Sequence, residues 1–231
     1  MDLGLMQSEI GLLIMGAATI DDLIGWSLFA LVLNASKPRL AMLGRAPDSL
    51  EFSDVRRHPE NSTVPGLLIA RPENGLFFAN AAGIREAIIE EMTSRAEPIK
   101  AVLLDLGATT DLDVPSADML AELGEELHSH DVRLMLMRVI APVREMLEHA
   151  GALEKINAQD IFVGPTEAVL IYLTTQYDDA GIQELLRGGA KEVHDLLQAS
   201  LATAPPERRA ALAAIADSVG QGIKPEEMEQ S

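Results

Sequence analysis

KAVLLDLGATTDLDVPSADMLAELGEEL, residues 100–127, decides the fold. Lys100–Leu106 is a nearly continuous apolar run, the pattern of a strand buried on both faces. Asp113 then reads as a helix N-cap, with Pro115 in the first turn, where its missing N–H costs nothing. Met119, Leu120, Leu123 and Leu127 recur at helical spacing and give that helix a buried face. A buried strand followed by an amphipathic helix is the unit of a mainly parallel sheet.

The same alternation extends to both sides. GLLIAR (66–71) reads as a strand, and GLFFA (75–79) as a second, joined by the turn Pro72-Glu73-Asn74. Asn80 is placed to cap a helix running to about Ser94, with Ile84, Ile88, Ile89 and Met92 on one face. VRLMLMRV (132–139) is the next strand. Pro142 opens a helix carrying Val143, Met146 and Leu147, and Gly151 ends it. IFVG (161–164) is the last strand, and Pro165 starts a helix with Ala168, Val169 and Tyr172. The class is α/β, in the order β-β-α-β-α-β-α-β-α over residues 65–176.

Residues 10–33 differ in kind. Their only charges are Asp21 and Asp22, and about 20 apolar residues suffice to span a bilayer. Twelve Leu, Ile, Phe and Val residues favour insertion by roughly 6 kcal/mol, and two central aspartates oppose it by about 5–7. Alone, the helix is balanced; packed against a partner, it can span. Residues 1–9 hold no Lys or Arg, whereas Lys37, Arg39, Arg45, Arg56 and Arg57 follow the run. The positive-inside rule then places 34–231 in the cytoplasm, with the helix in the cell inner membrane. The expected organisation is a leader (1–9), a transmembrane helix (10–33), a linker with Pro38, Pro47 and Pro59 (34–64), the α/β domain (65–176) and an acidic helical tail (177–231).

Composition narrows the function. The 231 residues include no cysteine, which excludes disulfides, thiolate metal sites and cysteine nucleophiles. A net charge of −18 argues against a nucleic-acid partner. Mean hydropathy is nevertheless +0.13. The N-terminal run and a Leu- and Ala-rich core account for it. No phosphate-loop, dinucleotide or nucleophile-elbow motif occurs. Gly188-Gly189 reads as a turn. His128 and His130 are two apart at a helix end, a spacing that does not face one side of a helix; His149 and Glu148 read as surface residues at a helix terminus. No enzyme, cofactor or metal is expected.

Four segments resemble the STAS domain of SulP-type (sulfate permease family) anion transporters: ASKPRLAMLGR (35–45), VPGLLIARPENGLFFANA (64–81), AVLLDLGATTDLDVPSADMLAELGEEL (101–127) and REMLEHAGALEKI (144–156). The match covers about residues 35–176. In those permeases the first segment follows the last membrane helix, where residues 10–33 stand here. The resemblance implies a STAS-like fold and a regulatory and assembly role in sulfate or other anion uptake. The implied partners are a permease membrane domain or a second copy. The permease membrane core is absent, so the chain is not expected to transport alone; it reads as a fragment, a split gene product or a rearranged one. GAATIDDLIGW (16–26) is similar to the aspartate-pair helix of sodium/proton antiporters. That makes Asp21 and Asp22 candidate ion-binding residues, or else carboxylates that are solvated or packed against a partner.

In STAS proteins that antagonise anti-sigma factors, a phosphorylated Ser follows the Asp at this helix start, and its charge switches partner binding. Here Val114 follows Asp113, and Ser116 is displaced by two positions. A switch of that kind is not expected. Thr109, Thr110 and Ser116 remain candidate acceptors, and Asp113, Val114, Pro115 and Ser116 a candidate anion or partner contact. The alternatives are an anti-sigma-factor-antagonist-like module that binds a protein kinase and a nucleotide-binding STAS domain.

Overall fold

The computed structural model describes residues 8–35, 38–47, 49, 51–176, 209, 210, 213 and 216. It divides into two compact units, residues 1–37 and 38–231. The tail expected over 177–231 lies outside the described residues except for Arg209, Ala210, Ala213 and Ala216.

The first unit is one helix, α1, Glu9–Ala35. Ser8 starts it, its Oγ accepting the Gly11 N–H at 3.1 Å. The helix has 27 residues and so extends about 40 Å, enough to cross a membrane core of about 30 Å. Its span of Glu9–Leu31 is long and apolar enough for that crossing, and none of it is buried within the chain. Thr19 and Ser27 satisfy their hydroxyls internally, donating to the Met15 and Leu23 carbonyls.

The second unit is a six-stranded sheet with helices on both faces. Its strands are β1 (Leu40–Arg45), β2 (Phe52–Asp54), β3 (Leu67–Pro72), β4 (Ala101–Asp105), β5 (Arg133–Met137) and β6 (Ile161–Phe162). The order is β2-β1-β3-β4-β5-β6. β3, β4, β5 and β6 run parallel, and β1 is antiparallel to both neighbours. The crossovers are α2 (Phe78–Ser94), α3 (Val114–Ser129), and α4 (Ala141–His149) with α5 (Ala152–Lys155); α6 (Pro165–Gln176) follows β6.

The period of two along the strands sorts the core into two layers. Leu68, Ala70, Val102, Leu104, Leu134 and Leu136 face Ile84 and Ile88 of α2, Leu120 and Leu123 of α3, and Val143 of α4. Leu67, Ile69, Leu103, Met135 and Phe162 face Val169, Tyr172 and Leu173 of α6, and Ala216 joins this layer. β4 is central and wholly buried, as its apolar run requires.

Two expectations are corrected. The stretch 34–64, read as a linker, contributes β1 and β2 to the sheet. Its prolines fall outside those strands, and LAML (40–43) is buried against β3. GLFFA (75–79) is not a strand: residues 75–77 are loop and α2 begins at Phe78. The run does not alternate, since Gly75 and Leu76 are both buried and Phe78 is exposed. A parallel neighbour such as β4 also requires a helical crossover rather than a hairpin at this point. Asn80 is therefore not the N-cap; it sits in the first turn, where its Oδ1 accepts the Phe77 N–H at 3.0 Å.

Candidate functional site

In a parallel sheet, loops that leave the carboxyl ends of the strands are positioned to meet ligands and partners. Here two such loops are stitched together, residues 73–77 after β3 and 106–113 after β4. Gly75 permits their approach. Its φ is +71°, and a Cβ there would stand 2.7 Å from the Ala108 carbonyl oxygen. Thr109 Oγ1 accepts the Leu76 N–H at 3.0 Å, and Asn80 Nδ2 donates to the Gly75 carbonyl at 2.9 Å.

Asp113 completes the junction. One carboxylate oxygen accepts the Ser116 N–H at 2.9 Å, capping α3. The other accepts the Phe78 N–H at 2.7 Å, at the start of α2. A single side chain thus caps two helices. Partial burial pushes its carboxyl up, but the hydrogen bonds given by Ser116 and by the Phe78 amide outweigh this and hold it below the usual carboxylate value.

The candidate acceptors are not equivalent. Thr109 is buried and engaged with Leu76, and Ser116 is wholly buried on the inner face of α3. A kinase reaches neither hydroxyl without local opening. Thr110 is exposed. Val114 and Pro115 are exposed at the start of α3, and Val114 offers no hydroxyl.

A buried ion pair lies beside this junction. Asp105, at the end of β4, is wholly buried and paired with Arg138, whose Nε lies 2.7 Å from Oδ1. Asp105 also accepts the Gly107 N–H at 2.9 Å. Arg138 has φ +57°, and its N–H donates to the Phe162 carbonyl at 3.0 Å. The hydrogen bonds to Asp105 outweigh partial burial and push the guanidinium above its ordinary value. The pair pins the β4 and β5 ends together. Sequence reading passed over it, yet a lone carboxylate in an apolar strand signals a partner, since unpaired burial is costly.

The same end presents Phe78, Val114, Ile140 and Val163 to solvent, between 42% and 83% exposed. Phe78 and Val114 open α2 and α3, Val163 precedes α6, and Ile140 stands at the N-cap of α4, where a polar residue is usual. His128, His130 and His149 are exposed. Among the described residues, no group of three His, Asp or Glu is placed to hold a metal. Asp21 and Asp22 lie on α1, exposed and far in sequence from these loops.

Comparison with known proteins fits this geometry. The profile of the family described as STAS domain matches residues 58–168. The chain is 32% identical to "Low affinity sulfate transporter 3" of Stylosanthes hamata over 179 residues, covering 73% of this chain and 27% of that protein. It is 28% identical to "Sulfate transporter 1.3" of Arabidopsis thaliana over 169 residues, covering 70% and 24%. The chain thus spans about a quarter of the length of the curated relatives it matches. In fold it is similar to the murine Solute Carrier 26 family member A9 anion transporter, with TM-score 0.58 and 19% identity over 65% of this chain and 24% of that one.

Proposed function

Because the chain carries a STAS domain over residues 58–168, we propose that it is the cytoplasmic regulatory and assembly domain of a SulP-like sulfate or anion permease, held at the membrane by α1. The observation that carries this reading is the reach of the similarity. It runs over 179 residues of a sulfate transporter, well beyond the 58–168 stretch. The apolar end formed by Phe78, Val114, Ile140 and Val163 suits protein contact rather than catalysis.

One span cannot form an alternating-access pathway, which needs packed repeats. On this reading the chain acts on a permease membrane domain, or on a second copy of itself, and catalyses no reaction. α1 crosses the inner membrane, and residues 34–231 face the cytoplasm, as the arginines after the span direct. Asp21 and Asp22 pack against that membrane partner.

The test is co-expression of the full chain with a SulP membrane domain deleted of its own STAS domain, in cells unable to take up sulfate. Co-purification and restored uptake are expected. Absence of both overturns the reading. The kinase-partner alternative retains one accessible hydroxyl, Thr110. Incubation with an anti-sigma-type kinase and ATP decides it: stoichiometric phosphate on Thr110 would favour that alternative.

A further inference from the structure

At the margin of the sheet opposite β6, beside α2, an open cleft of about 630 Å³ is lined by side chains of both charges. The approach to β1, the end of β2 and its turn, and the residue after β3 supply Arg39, Arg56 and Arg57 together with Asp54 and Glu73; the last turns of α2 supply Glu90 and Glu91. Four of these are already committed: Arg57, Asp54, Glu73 and Glu91. Arg57 lies 3.0 Å from Glu73 and 3.5 Å from Asp54, and Glu91 lies 3.0 Å from Arg95. Arg39, Arg56 and Glu90 make no ion pair with another described residue. Two guanidiniums and one carboxylate outside any ion pair thus share a cleft with the Arg57–Asp54–Glu73 cluster.

This arrangement selects a ligand of both signs. Guanidinium forks match the oxygens of a phosphate diester. A carboxylate on the opposite wall matches an ammonium and repels a purely anionic ligand. A quaternary ammonium lacks the N–H donors that a carboxylate accepts. The sequence supplies the setting: Arg39 is the fourth residue after the end of α1. Chain advances at most about 3.5 Å per residue, and basic residues that closely follow a span meet lipid headgroups.

We propose that this cleft binds the headgroup of a phosphoethanolamine lipid, its phosphodiester on Arg39 and Arg56 and its ammonium on Glu90. The proposal rests on α1 being a membrane anchor, and the two are separable by experiment.

The full chain in detergent micelles is titrated with dihexanoyl phosphatidylethanolamine, dihexanoyl phosphatidylcholine and inorganic phosphate, with adducts counted by native mass spectrometry. The ethanolamine lipid is expected to bind best. R39Q/R56Q should weaken it about tenfold or more, since two charge-assisted contacts are lost. E90Q should remove the preference for ethanolamine over choline. R144Q, which breaks only the exposed Arg144–Glu148 pair, should change nothing. A thermal melt confirms that each variant is folded. Equal binding by wild type and R39Q/R56Q overturns the proposal, as does equal binding of the two lipids by wild type. Binding of phosphate without the ethanolamine lipid overturns it in favour of a free-anion site. Carbonate extraction of membranes holding the same chain tests the anchor alone: release of the chain with lipid adducts intact would break the anchor and keep the headgroup site.

Discussion

α1 and β4 are both apolar, and the chain treats them in opposite ways. The large apolar side chains described on α1, from Ile10 to Leu31, are all more than half exposed. All five residues of β4 are buried. β4 is covered by its own chain, with α2 and α3 on one face and α6 on the other. Asp21 and Asp22 apart, α1 carries large apolar side chains around its circumference, so no single contact face would cover it. The apolar demand of β4 is met within the chain, and that of α1 is not.

The largest expected effect falls on α1. Replacing Asp21 and Asp22 by Leu removes about 5–7 kcal/mol of insertion cost. In a microsomal insertion assay the wild-type helix should insert partially and the variant completely. Identical insertion of the two would break the contrast, because α1 would then not be reading the hydrocarbon.

Next comes the core. Leu103→Ala in β4 should lower stability to urea by about 2–5 kcal/mol, through lost burial and a residual cavity. Leu23→Ala in α1 should leave the unfolding of the sheet unit unchanged. A loss at Leu23 comparable to that at Leu103 would mean the two units fold as one.

Asp113→Ala should cost about 1–3 kcal/mol, because one carboxylate caps two helices. Its pH dependence has a definite sign. The carboxyl is held below its ordinary value in the folded state, so its contribution is complete above the unfolded value of about 3.9 and fades as pH falls through the folded one. The stability gap between wild type and Asp113→Asn should therefore narrow in acid; a gap constant from pH 7 to pH 2 would contradict the charged cap.

The smallest effect compares two glycines. Gly75→Ala meets both a positive φ and the Ala108 carbonyl, and should cost about 1–2 kcal/mol in a urea melt. Gly16→Ala meets nothing within 4 Å and should cost nothing. Equal effects would mean the loops after β3 and β4 are not held together as described.

Much of this was legible in the residues. The alternation around Lys100–Leu106 identified the parallel layers, and the N-cap role of Asp113 followed from its place before an amphipathic helix. The failures share a cause. GLFFA has the composition of a strand, but the crossover to β4 requires a helix there. LAMLGR lies among prolines and charges, yet β3 offers it a free edge. In both, nonlocal pairing overrode local pattern.

The candidate site divides in the same way. That Val114 replaces an acceptor is visible in the sequence. That Thr109 and Ser116 are inaccessible is not, because burial depends on how the loops and helices pack. The second hydrogen bond of Asp113 also comes from Phe78, 35 positions away.

The sequence by itself determined the class of the fold, the polarity of the flanks around α1 and the absence of thiol chemistry. These depend on composition and on periods of two and 3.6, which are local properties. Tertiary structure alone decided that one carboxylate caps two helices, that Asp105 meets Arg138, and that Arg39, Arg56 and Glu90 share a cleft. Each joins residues far apart in the chain, and only the packed sheet brings them within reach of one another.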